Sequence, residues 1–331
     1  MTDAQTEARQ VVARKILARH SKSFALAGKL LPAGMRHDAA ALYAWCRRCD
    51  DAVDTPEASL DRARAVRRLR TELDAVYAGT PQEDPVLAGL QEVVRRHQLP
   101  RAYPEDLLAG MAMDVGVVRM ATMDELLLYA YRAAGTVGLM MAYLMGVRDA
   151  RTLRRAVDLG IAMQLTNVCR DVAEDEGRGR VYLPETLLDG APLPTRAPDI
   201  AAPAVAAVLG CADAFYRSGD AGLGRLPFRC AVAIRAARLI YAEIGAVVAR
   251  RDFDVRAGRA VVSHARKLAL LARAAIDTVV TVVRRRRPAP PPGALPFSLP
   301  IDGAETPPRS PVIAVVQAQG KLIAHRAGLP S

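Results

Sequence analysis

The sequence is poor in aromatic residues, with 5% Phe, Trp and Tyr and a single tryptophan. That scarcity, with recurrent Ala and Leu and widely spaced turn clusters, argues against many short strands and for long helices. Cysteine is also scarce. Five cysteines in 331 residues, an odd number, exclude a dense disulfide framework and fit a reducing compartment. Cys46 and Cys49 form a lone C-x-x-C with no second pair or suitably spaced histidine, so they read as small residues beside a helix rather than a zinc or redox site. Long apolar runs are missing too: the nearest approach, Gly135 to Val147, falls short of the roughly 18 residues that suggest a membrane span. The opening residues include Asp3, Glu7 and Arg9 and lack the basic start and apolar middle of a signal peptide, so the expectation is a cytoplasmic protein.

What is there is 51% hydrophobic composition, ample for a real core, and a net charge of +11. The charge favours anionic partners, whether nucleic acid, anionic lipid or phosphorylated substrate. Aromatics interleaved with basic patches are sparse, so no nucleic-acid partner is expected. Residues 1–283 read as one all-α helical body, broken near Pro32, Pro56, Gly79 to Pro85, Pro100 to Pro104, Gly146, Gly190 to Pro203 and Gly222 to Pro227. From Arg284 the composition changes: Arg284 to Arg287 is a basic run, and ten of the 22 prolines lie between Pro288 and Pro330. Residues 284–331 are therefore expected to form a mostly disordered tail.

Two segments carry polar stripes. In Ala39 to Asp54, Tyr43, Arg47, Asp50 and Asp54 follow at steps of four, three and four; in Ala156 to Asp175, Gln164, Asn167, Asp171 and Asp175 follow at three, four and four. Such spacing puts each set on one helical face. Carboxylates one turn apart repel and need a cation, and magnesium fits because it takes one or two carboxylates and keeps its other positions for water and phosphate. Each pair alone could be a solvated face. Together, and with Gln164 and Asn167 set among Ile161, Met163, Leu165 and Val168, they suggest a lined cavity.

Three further segments stand out. His20, Lys22 and Ser23, just before Phe24, are groups that suit phosphate oxygens, or else surround an ordinary helix cap. Tyr129 to Gly138 places glycines inside a helical stretch, for tight helix packing or for a cavity of small residues that admits a hydrocarbon. Val261 to Val283 repeats apolar residues at Val261, Ala265, Leu268, Ala272, Ile276, Val279 and Val283, either as a last helix packed on the core or as a surface helix on a membrane.

Taken as an ordered set, HSKSF, YAWCRRCDDAVD, YAYRAAGTVG and QLTNVCRDVAEDEGRGRVYLP resemble the motifs of the phytoene and squalene synthase family, from about His20 to Leu271. The resemblance implies a single-domain α-helical bundle around a central cavity, the isoprenoid synthase architecture. It also implies head-to-head condensation of two allylic diphosphates through a cyclopropylcarbinyl diphosphate. By position, Asp50, Asp54, Asp171, Asp175 and Asn167 match the metal-holding residues, with magnesium expected and manganese as the alternative. His20, Lys22, Ser23, Arg47 and Arg170 match diphosphate-binding positions, and Arg259 matches loosely. Tyr43, Tyr129, Tyr182 and Tyr241 match tyrosines near the reacting carbons, and Phe24, Ala134, Val137, Gly138, Gln164 and Leu165 would border the hydrocarbon pocket. Asp51 reads as an outer neighbour of the first motif, and Arg132 as outward-facing. The carotenoid-like second motif implies geranylgeranyl diphosphate as substrate, phytoene as product and no NADPH. Farnesyl-using squalene or dehydrosqualene synthases are the alternative, and a non-catalytic, basic, membrane-binding helical protein is the alternative of another class. Peripheral contact with an anionic membrane, on the inner face, is expected of the final helix and basic tail.

Overall fold

Helical spacing in the sequence becomes thirteen α-helices among the described residues. The computed structural model describes residues 3–54, 62–191, 193–283 and 292–301. The helices are α1 (Asp3–His20), α2 (Lys22–Gly28), α3 (Ala33–Asp54), α4 (Arg62–Tyr77), α5 (Pro85–His97), α6 (Ala102–Met113), α7 (Met123–Ala130), α8 (Thr136–Leu144), α9 (Ala150–Arg170), α10 (Val172–Gly177), α11 (Pro198–Gly222), α12 (Phe228–Ala249) and α13 (His264–Val283). Among the described residues strand is confined to Val118–Arg119 paired in parallel with Arg180–Val181. Local chemistry sets several ends. Asp84 caps α5 by accepting from the N–H groups of Val86 and Leu87 at 2.8 and 3.2 Å, with Pro85 next in sequence. Asp149 caps α9 through the Thr152 N–H at 2.9 Å, just after Gly146 turns the chain at φ 81°.

α9 is the central helix, packed by α7, α8, α11 and α12. α11 is apolar and long enough to cross a membrane by composition, but Val205, Val208, Cys211 and Phe215 are buried in the core, so it serves as an interior helix. The glycines of the Tyr129–Gly138 segment belong to an interlock. A Cβ on Gly138 would meet the Ala156 carbonyl at 2.3 Å, and one on Gly160 would meet the Ala134 carbonyl at 2.3 Å. Backbones on the two sides therefore approach more closely than any side chain allows. Within this segment Tyr131–Gly135 is a π-helical turn, between α7 and α8. Such turns insert a residue and shift the faces on either side.

One expectation needs correction here. The second polar stripe does not lie on one unbroken helix: α9 stops at Arg170, Asp171 adopts φ −106°, ψ 13°, and α10 follows. Backbone bonds from Asp171 to Asn167 (2.9 Å) and from Asp175 to Asp171 (2.8 Å) keep the four-residue spacing across the break. Part of the tail packs on the helical body. Leu295 and Ile301 are 1% and 6% exposed in the core, and the Phe297 ring lies 5.2 Å from that of Tyr131. Proline density rules out regular hydrogen bonding but not burial of the apolar residues between prolines. The Gly293 N–H donates to buried Asp158 at 3.1 Å, and Arg154 donates to the Gly293 carbonyl. Arg284–Arg287 and residues 302–331 lie outside the described residues.

Candidate active site

A cavity of about 550 Å³ runs between α2, α3, α8, α9, α11 and α12. On α9 it is lined from Thr152 through Arg155, Ala156, Leu159, Gly160, Met163 and Gln164 to Asn167. Fifteen residues of helix at 1.5 Å each span about 22 Å. On α3 the lining runs from Arg36 through Ala39, Ala40, Tyr43 and Cys46 to Asp50. The walls between are apolar or small, with Ala133, Ala134, Val137, Gly138, Met141 and Met145 on the π turn, α8 and just beyond. While Arg36 and Arg155 line one end, the acid and amides of the lining, Asp50, Gln164 and Asn167, gather at the other, toward the C-terminal ends of α3 and α9, where unpaired carbonyls already favour cations.

At that end Phe24 bridges two of the expected tyrosines: its ring stacks on Tyr241 at 5.3 Å and meets Tyr43 edge-on at 6.3 Å. All three line the cavity. Burial pushes the Tyr43 hydroxyl up to about 12, against the pull of Arg47. Arg47 pairs with Asp51 one turn on, so Asp51 is tied to the motif through a cation. Arg170 forms a two-pronged pair with Asp171, and Arg259 approaches the same carboxylate at 3.1 Å and Glu174 at 3.6 Å. Thus the loosely matching Arg259, from the loop before α13, does reach the second acidic motif. Asp175 is pushed up to about 7 by burial and by the neighbouring charge of Asp171.

The other two tyrosines lie apart from the cavity wall. Tyr129 and Tyr182 stack at 4.7 Å, and both donate to Asp114, at 3.2 and 2.6 Å. The Asp50 charge still acts on Tyr129, which puts this pair near the polar end. Asp114 was invisible to sequence reasoning because a single Asp near a helix end has no pattern; only the fold gives it two phenols. Tyr182, Asp175 and Arg180 border a separate small cleft. His20 and Lys22 are exposed at the α1–α2 junction, where Ser21 caps α2 and Ser23 is half-buried.

Of the residues expected to border the hydrocarbon, Phe24, Ala134, Val137, Gly138 and Gln164 do so. Leu165 does not; it is 0% exposed in the core, turned about 100° from Gln164 around α9. Arg132 is turned from the cavity but is half-buried against α6 rather than solvated, reaching Met113 Sδ at 3.6 Å. The Asp54 side chain lies outside the described residues.

The donors suit magnesium. Asn167 lines the cavity, its amide nitrogen donates to Gln164 at 3.2 Å, and its Oδ1 is buried without a partner. A hard cation would complete it. Among the described residues no three acidic, His or Cys side chains converge on one point.

Residues 17–266 match the sequence profile of the squalene/phytoene synthase family. The chain is 42% identical over 261 residues to a 15-cis-phytoene synthase of Paracoccus sp., covering 76% of this chain and 86% of that one. It is 40% identical over 292 residues to a phytoene synthase of Pseudescherichia vulneris, covering 84% and 94%. In structure it is similar to a dehydrosqualene synthase crystallised with a ligand (TM-score 0.75, 29% identity, 83% and 98% covered). A squalene synthase from Alicyclobacillus acidocaldarius shares the fold (TM-score 0.67, 23% identity, 76% and 97% covered). With its helices, its cavity and its paired acidic ends, the chain belongs to the squalene/phytoene synthase family.

Proposed function

We propose that the protein condenses two molecules of geranylgeranyl diphosphate head to head to phytoene, and that it needs magnesium but no reductant. One observation carries this reading: a long cavity with mostly apolar walls whose acid and amide groups, Asp50, Gln164 and Asn167, gather at one end. Such a shape holds a hydrocarbon with a single anionic head. The phytoene synthases among its relatives support the choice of substrate and product.

The steps balance without an external electron donor. One diphosphate departs from the first substrate, the double bond of the second attacks the resulting allylic cation, and proton loss closes a cyclopropylcarbinyl diphosphate. The second diphosphate then departs, the ring opens with formation of the bond between the two first carbons, and a second proton loss leaves phytoene. Bound magnesium would neutralise charge growing on the leaving diphosphate. Asp50, Asn167, Asp171 and Asp175, with Asp54, would hold it. Arg170 and Arg259, already paired with Asp171, would turn to diphosphate oxygens as the carboxylate turns to the metal; Arg47, His20, Lys22 and Ser23 would add contacts. The faces of Phe24, Tyr43 and Tyr241 stabilise carbocations without trapping them, and the apolar wall excludes water that would.

Peripheral contact with an anionic membrane completes the proposal, since long-chain substrate and product both partition into lipid. Substrate choice is tested by offering equal amounts of farnesyl and geranylgeranyl diphosphate with magnesium. Preferential consumption of geranylgeranyl diphosphate supports the reading; preference for farnesyl diphosphate moves the protein to the squalene or dehydrosqualene branch.

A further inference from the structure

Helix α13 is amphipathic, yet its larger apolar side chains are divided between core and solvent. Ala274 is fully buried against Ala27, Ala236 and Ala237, Leu270 is 2% exposed, and Thr278 is buried where Arg235 donates to it at 3.1 Å. On the outward side Leu268, Ile276 and Val279 are 57%, 64% and 51% exposed. Their spacing of eight and then three residues keeps them in one stripe, which Val261 extends on the approach to the helix. Among the described residues seven large apolar side chains are exposed, and five of them are on α13 or its lead-in. A sixth is Phe228 at the start of α12. It precedes Arg235 by two turns on the same helix face, and Arg235 also donates to Thr281 at 2.9 Å, so Phe228 lies toward the C-terminal end of α13. A concentration of this kind on one helix is not the scatter usual for a soluble surface.

We propose that this outward face of α13, with Val261 and Phe228, is an interfacial helix that lies in the headgroup boundary of an anionic lipid leaflet. The proposal rests on the membrane reading above and assigns it a surface. Charge selects the occupant. Between Val261 and Arg287 there are seven Arg and Lys residues and one acid, Asp277, and Arg225 and Arg229 are exposed beside Phe228. An apolar stripe with basic flanks fits lipid with negative headgroups. The placement has a consequence for the chemistry. One layer of helix, α12 with α2 beside it, separates α13 from the cavity: α13 packs on α12, whose Ala237 shares a buried cluster with Ala274 and Ala27 and also lines the cavity. A leaflet on α13 lies one helix layer from the hydrocarbon pocket. Most of α13 lies beyond Arg266, where the family match ends.

The test uses the full chain, because ending it at Val283 would also remove Leu295 and Ile301 from the core. Vesicles of equal parts phosphatidylcholine and phosphatidylglycerol are sedimented with wild type and with the triple variant L268S/I276S/V279S. Wild type is expected to bind these vesicles and to bind pure phosphatidylcholine weakly. The variant is expected to lose about tenfold or more in affinity, with unchanged turnover of detergent-dispersed substrate. Equal binding by the variant overturns the assigned face while leaving membrane contact standing, whereas no binding by wild type overturns the membrane reading and this face with it. Lipid-free dimers that the same substitutions dissolve would give the face to a second copy. As a check independent of triple substitution, Ile276→Trp should shift its fluorescence to the blue on anionic vesicles, above the constant signal of buried Trp45; an unshifted spectrum contradicts the proposal.

Discussion

Tyr129 and Tyr182 share one acceptor: their rings stack at 4.7 Å and both hydroxyls donate to the buried carboxylate of Asp114. Burial pushes both phenols well above their usual range, so they stay neutral donors at any working pH. Asp114→Ala should deprive the two buried hydroxyls of their shared acceptor, costing about 1–3 kcal/mol, and should reduce turnover by about ten- to a hundredfold through lost positioning. Asp114→Asn should retain part of the activity. Denaturant melts and steady-state rates check both, and wild-type turnover in Asp114→Ala would remove the pair from the reaction.

Asp171 accepts from Arg170 and lies 3.1 Å from Arg259, so Asp171→Asn should not simply relieve repulsion between acids. The variant should lose at least about a hundredfold in turnover and raise the magnesium concentration needed for half-maximal rate. It should also lose about 1 kcal/mol of stability, because Arg170 loses its charged partner and Arg259 keeps only Glu174. Magnesium titrations of rate and a thermal melt measure these together.

The Asp175 carboxyl, raised by burial and the Asp171 charge from the usual aspartate range to about 7, binds a proton more tightly in the folded than in the unfolded chain. Metal-free protein should therefore lose stability from this group as pH rises from about 4 to about 7, and the loss should be complete above that window. Asp175→Asn should remove this slope. Allowing for screening at a partly exposed carboxylate, the variant should be more stable than wild type by about 1–2 kcal/mol at pH above 7 while losing magnesium-dependent turnover. Melting curves across pH in a chelating buffer are the measurement, and identical slopes in the two proteins would refute the assignment.

The backbone approach at Gly138 makes a fourth expectation. Gly138→Ala puts a methyl 2.3 Å from the Ala156 carbonyl and should cost about 1–3 kcal/mol. Since Gly138 also lines the cavity, turnover should fall even at temperatures where the variant stays folded. A variant with wild-type stability and rate would mean that the helices part freely.

The parts of this structure that were legible in the sequence are those governed by short, regular spacing. Tyr43, Arg47 and Asp50 share a face of α3 because steps of three and four are dictated by the helix itself, and Gln164 and Asn167 share a face of α9 for the same reason. Breaks at Gly146, Asp84–Pro85 and Pro227 follow from backbone chemistry that any observer of the sequence can apply. What depends on distant neighbours was hidden. The π turn at Tyr131 follows a stretch of good helix formers, and the weak formers Thr166 to Cys169 stay helical up to the break at Asp171, so propensity marks neither position. Periodicity marks α13 as amphipathic but does not say which way its apolar stripe faces, and the structure turns Leu268 and Ile276 outward. Leu295, Phe297 and Ile301 sit among prolines, and their docking depends on Asp158 and Tyr131, more than a hundred residues earlier.

The central claim is reductant-free joining of two geranylgeranyl chains, and one incubation addresses it most directly. Full-length protein, geranylgeranyl diphosphate and magnesium are combined without NADPH, and the hydrocarbon product is identified by chromatography and mass spectrometry. The account predicts phytoene, with two diphosphates released per molecule and no product when magnesium is chelated. A product that forms only when NADPH is added, or only from farnesyl diphosphate, would contradict it.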